Sequence, residues 1–336
     1  MDKLIIITPL LSSLIVFLLY IPFINILYAL KFKLNPDQKK KDIFGKSTSI
    51  FNKLHGHKGG TPIGGGILIV IYMLIFNFSV AKLYDLPLLT NILLCFFLFG
   101  LIGFYDDFTK IFEKTKTTFG LRVRHKFLIQ TVVALVVSYF FIVNTSSEPL
   151  TIIPNLIIIS SVAVKFALLF LSILFFTNAF NITDGLDGLS AGSLILSLIP
   201  LALVSYFTQN LPSGFFITSL IGSLVAYLYF NVPPARIFMG DTGALAFGST
   251  FALLCFINNV FYLLPFLGFL YIIEGLSSLI QWTSKKYRNK KVFNIAPFHH
   301  HLESLGWDES KVTMRLWLLQ AFFSLIGLTI YLFINI

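Results

Sequence analysis

The chain has 336 residues, 56% of them hydrophobic and only 12% charged, with a formal net charge of +10 and a mean hydropathy of +0.85. Soluble domains carry about twice that share of charge, and soluble helices show polar faces that the long apolar runs here lack. A soluble globular protein is therefore excluded. With no linker, repeat or low-complexity stretch to divide it, residues 1–336 read as one integral-membrane domain.

Apolar runs long enough to cross a bilayer as helix recur along the sequence. Ten spans are predicted: 4–30, 61–81, 91–105, 127–144, 155–180, 189–207, 214–230, 244–262, 263–282 and 313–336. The first run is too long for a signal peptide and no small-residue cleavage site follows it, so it is kept as a span. Between the eighth and ninth spans LLPFLG offers only a tight turn. Cys95 and Cys255 fall inside apolar runs and read as small core residues. The fold expected is an all-α polytopic membrane protein of about ten transmembrane helices.

The connections alternate in character. Residues 31–60, 106–126, 181–188, 231–243 and 283–312 are polar, and the other four are short and bland. The polar set together with Arg315 holds 22 of the 25 Lys and Arg; the rest are Lys3, Lys82 and Lys165. By the positive-inside rule the polar connections are cytoplasmic and both termini lie outside. The KKK cluster in 31–46 also suits anionic headgroups of membrane lipids. Basic residues placed beside spans argue against nucleic acid as a partner.

Every concentrated polar motif falls on that one face: HGHKGGTPIGGG (55–66), GFYDDFTK (103–110), NITDGLDG (181–188), NVPPARIFMGDTG (231–243) and APFHHHLE (296–303). They bring Asp106, Asp107, Asp184, Asp187 and Asp241 to the mouth of a helical bundle. Carboxylates crowded at a membrane boundary repel one another and lose hydration, which calls for a cation among them. Oxygen ligands without thiolate point to Mg2+, with Mn2+ as the alternative. Lys58, Lys110, Lys126 and the three histidines add donors for phosphate oxygens. The glycines of GGTPIGGG and MGDTG let backbone N–H groups come close to an anion. Acid, metal and basic groups in one cleft describe phosphoryl transfer at the cytoplasmic face.

Each motif has a plainer alternative. Asp184 and Asp187 could cap the helix that starts near 189. GGTPIGGG lacks the ending of a phosphate-binding P-loop and could pack helices. DGLDG lacks the ligand spacing of an EF-hand and is rejected as one. The three adjacent histidines diverge by about 100° per residue on a helix, so all three cannot readily face one zinc; a solvated run is the alternative. Glu274 and Lys165, inside spans, could be buried polar pairs.

In this order and at these intervals, DDFTK, NAFNITDGLDG, PPARIFMGDTG and PFHHHLE resemble the polyprenyl-phosphate N-acetylhexosamine-1-phosphate transferases. The uninterrupted histidines resemble the branch that transfers phospho-N-acetylmuramoyl-pentapeptide. The resemblance implies a ten-helix, Mg2+-dependent enzyme of the bacterial cytoplasmic membrane, often a homodimer. It implies transfer from UDP-N-acetylmuramoyl-pentapeptide to undecaprenyl phosphate, giving lipid I and UMP for peptidoglycan. Carried over, Asp241 is the Mg2+ ligand, and Asp106 and Asp107 are the pair that deprotonates or positions the lipid phosphate. Asn181, Asp184 and Asp187 line the nucleotide and diphosphate, with Asn231 and Phe238 beside uracil and ribose. Lys58, Thr61, Lys110, Lys126, His299, His300 and His301 contact phosphate or sugar. Where the family stretch commonly reads GTPTMGG, this chain has GTPIGGG. Rival readings are a sibling transferase using UDP-N-acetylglucosamine, a transporter of phosphorylated solutes, and an inactive scaffold.

Overall fold

The computed structural model describes residues 2–33, 60–112, 123–145, 149–154 and 156–335. Within them run α1 (Asp2–Ala29), α2 (Gly65–Leu83), α3 (Pro87–Phe112), α4 (Val123–Thr145), the hairpin β1 (Leu150–Ile153) and β2 (Ile157–Ile159), then α5 (Val162–Thr183) and α6 (Leu189–Phe207). After these come α7 (Leu211–Asn231), α8 (Gly240–Ile257), α9 (Leu264–Leu267), α10 (Phe269–Arg288), α11 (Phe298–Ser304) and α12 (Glu309–Asn335). Among the described residues nine helices are long and apolar enough to cross a bilayer, and a bent pair makes a tenth. Apart from the small hairpin, the described residues are all-α, the architecture of a polytopic membrane protein.

α8 is the centre of the bundle, packed on α2, α3 and α5, and nearly every residue from Asp241 to Cys255 is buried. Its sequence GDTGALAFGST is rich in small residues, which in lipid is what allows backbones to close on one another. At the tightest point a methyl on Gly66 would sit 2.4 Å from Gly243 Cα. At the other extreme, α1 turns Leu10, Leu14 and Leu18 outward, at no cost where the surroundings are acyl chains.

The structure differs from the prediction in three respects. The run expected to be helical from 155 opens instead as β2, with the helix starting at Val162. TIIPNLIII is β-branched and broken by proline, and Asn259 ties it down by accepting the Thr151 N–H at 2.8 Å. The predicted division at 262 is replaced by an earlier end, at Ile257, and a 75° bend at the junction of Leu267 and Phe269. Gln320 of α12 repairs this break: its Oε1 accepts the Leu270 N–H and its Nε2 donates to the Leu267 carbonyl, both at 2.9 Å. Lastly, α3 and α8 run past their predicted ends, so DDFTK and the MGDTG aspartate are helical, not loop.

At one end of the bundle Asn335 reaches Tyr262 and Ile5 packs at Gly214. Both chain ends therefore lie away from the end where the polar motifs gather.

Candidate active site

The last turns of α3 carry Asp106, Asp107 and Lys110. Asp106 and Lys110, one turn apart, pair at 2.8 Å. Asp107 points across to α8. Its Oδ1 accepts the Asp241 N–H at 2.9 Å, and its Oδ2 accepts the Thr242 N–H at 2.9 Å and the Thr242 hydroxyl at 2.7 Å. Those amides belong to the first turn of a helix, where no intrahelical acceptor exists, and the negative charge suits the helix dipole. Gly103 makes this approach feasible: a methyl there would lie 2.1 Å from the Asp241 carbonyl oxygen.

With its backbone fixed by Asp107, Asp241 extends its carboxylate toward three other helices. Oδ1 accepts from Asn181 Nδ2 of α5 at 3.0 Å. Oδ2 meets Lys110 Nζ at 2.9 Å and is bonded to Lys126 Nζ, which also lies 3.2 Å from Asp106 Oδ2. Lys110 stands 3.8 Å from Asp107. Two carboxylates and two ammonium groups thus share one knot, with the lysines on its more accessible side.

The donor set is all hard oxygen: Asp106, Asp241 and the Asn181 amide. Among the described residues no three His, Cys, Asp or Glu are grouped to hold a metal. Hard oxygen is the ligand chemistry of Mg2+, which commonly takes one or two carboxylates together with phosphate and water.

Beside the knot, the α5–α6 turn and the α7–α8 connection are stapled together. Asn231 Oδ1 accepts the Gly188 N–H at 2.9 Å while its Nδ2 donates to the Ile237 carbonyl at 2.8 Å. Asp187 Oδ2 accepts the Ala235 N–H at 2.9 Å, and Glu309 takes the Asp187 N–H at 2.7 Å. Neither aspartate caps α6: its N-cap is Gly188, with no side-chain cap, and Asp184 accepts the Ser190 hydroxyl instead. Burial pushes the Asp184 carboxyl up to about 7, with the Ser190 hydrogen bond opposing.

The glycine segment packs. Gly64 and Gly65 both donate their N–H to the Phe238 carbonyl, at 3.0 and 2.8 Å, and Gly66 donates to Met239 at 2.8 Å. The amides of Gly64, Gly65 and Gly66, like those of Asp241 and Thr242, are committed within the protein, which takes these three out of the anion cradle expected of the segment, while Gly59 lies outside the described residues. Thr61 and the half-buried Phe238 flank this bridge on the same end of the bundle. Lys58 lies outside the described residues.

The histidines sit on α11 and point three ways, as consecutive helical residues must. His299 is fully buried against Glu274 of α10, with Nδ1 3.0 Å from Oε2. His300 pairs with Glu303 at 2.7 Å. His301 lies edge-on to Phe293. Burial of the first two rules out a solvated run. Among residues that no motif marked, Ser190, Glu309 and Glu274 all hold site groups, and inside MGDTG Thr242, which had been given no role, does the same. Of these only Glu274, a lone acid in an apolar run, carries a signal in the sequence.

Residues 89–259 match the model of Glycosyl transferase family 4. A phospho-N-acetylmuramoyl-pentapeptide-transferase of Caldanaerobacter subterraneus is 37% identical, over 79% of this chain and 83% of that one. One from Staphylococcus saprophyticus is 37% identical over 82% and 87%, and one from Clostridioides difficile 34% over 79% and 82%.

Proposed function

The chain belongs to glycosyl transferase family 4, among its phospho-N-acetylmuramoyl-pentapeptide transferases, and from that premise we propose that it moves phospho-N-acetylmuramoyl-pentapeptide from its UDP-linked precursor to a polyprenyl phosphate in peptidoglycan synthesis. The carrier is undecaprenyl phosphate and the products are lipid I and UMP. A lipid phosphate oxygen attacks the β-phosphorus of the donor, and the bond to the UMP oxygen breaks.

The observation that carries this reading is the knot of Asp106, Asp241, Lys110 and Lys126 at the rim of the bundle. Lys110 and Lys126 turn to the incoming phosphates and neutralise them. Asp107 is held in its cap by three hydrogen bonds, so of the two neighbouring acids Asp106 is the one set to position the lipid phosphate or take its last proton. A strong base is unnecessary, since a phosphate monoester has a second pKa of about 6. Asp241, with Asp106 and Asn181 beside it, would hold Mg2+, which would supply charge neutralisation on the diphosphate. Asp184, at the turn next to the knot, faces the nucleotide side.

The site is read as cytoplasmic because the sequence connections that carry its motifs, together with Arg315, hold 22 of the 25 Lys and Arg. The multi-pass enzyme is accordingly placed in the bacterial cytoplasmic membrane, with both termini outside. A homodimer is carried over from the resemblance.

The test is UMP release by the detergent-purified protein with undecaprenyl phosphate and Mg2+, comparing UDP-N-acetylmuramoyl-pentapeptide with UDP-N-acetylglucosamine and using Asp241→Asn as the blank. Release from the pentapeptide donor alone, lost in the variant, is expected. Release from the simpler donor alone would move the chain to the sibling activity. No release from either would return the transporter and scaffold readings.

A further inference from the structure

Glu274 is a fully buried acid on α10, in a membrane bundle, and its charge has to be met locally. Its carboxylate is spent on one residue. Oε1 accepts the His299 N–H at 3.1 Å, and Oε2 lies 3.0 Å from His299 Nδ1. A carboxylate has no hydrogen to give, so Nδ1 carries the proton and the ring orientation is fixed from behind.

The other face of that ring is the unusual one. His299 is fully buried, yet Nε2 has no hydrogen-bond partner among the described residues. It is aimed at the α5–α6 turn, where a methyl on Gly185 would lie 2.5 Å from it. Gly185 follows Asp184 and is itself exposed, so Nε2 comes up beneath a turn that faces out of the bundle. Buried polar atoms are rarely left unpaired, and one aimed at an open turn has a ligand as its natural partner.

We propose that Glu274 and Gly185 are positioning residues for the transfer reaction: together they present His299 Nε2 to a phosphate oxygen of the nucleotide-linked donor at the 184–188 turn. This rests on the reading of the site as a UDP-sugar site. With Nδ1 tied to Glu274, an Nε2–H would donate to that oxygen. Neither residue touches the donor; both act through His299.

The test is a double-mutant cycle on the full-length protein in detergent, measuring UMP release. Glu274→Gln is expected to lower kcat/KM for UDP-N-acetylmuramoyl-pentapeptide by about 10- to 100-fold, the worth of a hydrogen bond to a charged group. KM for the lipid phosphate should stay within about twofold, and Glu274→Gln combined with His299→Ala should be no slower than His299→Ala alone. Gly185→Ala should behave in the same way, and its own cycle decides the matter if Glu274→Gln does not fold. Multiplicative losses, or an equal rise in KM for the lipid, would overturn the proposal. Side-chain 15N spectra of the six histidines give a readout independent of turnover. Glu274→Gln should shift the His299 ring signals, and unchanged signals would sink the pairing even if the wild type released UMP. A wild type without UMP release but with those shifts would fault the function and leave the dyad standing.

Discussion

The Asp107 carboxylate accepts the Asp241 backbone N–H at 2.9 Å, so an acid at the end of α3 closes the beginning of α8. The helix that bears the proposed metal ligand is therefore oriented by the acid next in sequence to its partner in the knot. Adjacent identical residues have separate tasks: Asp106 faces the lysines, and Asp107 faces backbone. Two successive helical positions point about 100° apart, which is how one dipeptide serves both.

Asp107→Asn should lower turnover far more than substrate binding, and the cap supplies the reason. An amide keeps one acceptor but turns an NH2 group toward an N–H, leaving a buried donor unmet at a cost of about 1–3 kcal/mol. Turnover and the thermal midpoint should fall together. An unchanged midpoint with lost turnover would give Asp107 a direct chemical part, and unchanged turnover would remove it from the mechanism.

Metal removal offers a second check. Mg2+ bound through Asp241 to the folded chain alone would add about 2.7 kcal/mol at one hundred times its dissociation constant. With UMP present, the unfolding midpoint should rise on adding Mg2+, fall back with EDTA, and not respond in Asp241→Asn. A variant that still responds would take Asp241 out of the ligand set.

Much of this was legible beforehand, and what was not has particular causes. The ten-span pattern and the one-sided motifs follow from length and charge, which survive any detail of packing. The broken ninth span does not: a helix interrupted at Gly268 is tolerable only because Gln320, some fifty residues later, takes the exposed backbone groups. Nor could the glycine segment be settled, since packing and anion binding ask for the same residues; only the acceptors of Gly64, Gly65 and Gly66 decide it. DDFTK shows a charged helix end where hydropathy alone sees the apolar run stop. Glu274 was visible as an odd residue, but its partner lies across a connection that no periodicity spans.

Asp184 gives a pH signature. Its carboxyl is pushed up to about 7 by burial, against about 3.9 in an unfolded chain. Between those values the folded state binds more protons than the unfolded one, so stability falls as pH rises through that window and levels off above it. Without substrate, the wild type should lose more of its thermal midpoint between pH 5 and pH 7 than Asp184→Asn. Parallel curves would mean that Asp184 is solvated.

Two glycines one turn apart on α3 should answer oppositely to the same substitution. At Gly103 a methyl would meet the Asp241 carbonyl oxygen at 2.1 Å and its carbon at 2.3 Å, and backbone cannot rotate aside. α3 and α8 must then separate, the Asp107 cap lengthens, and overpacking of this kind costs about 1–3 kcal/mol or more. At Gly100 the nearest atom is a Val70 methyl at 3.4 Å, an ordinary contact. Alanine there removes a mid-helix glycine, which is worth roughly 0.5–1 kcal/mol. Thermal midpoints and UMP release on both variants check the pair: Gly100→Ala should match or exceed the wild type in stability and keep its turnover, whereas Gly103→Ala should lose both. An active, stable Gly103→Ala would mean that α3 and α8 sit further apart than described, and the cap joining Asp107 to Asp241 would go with them.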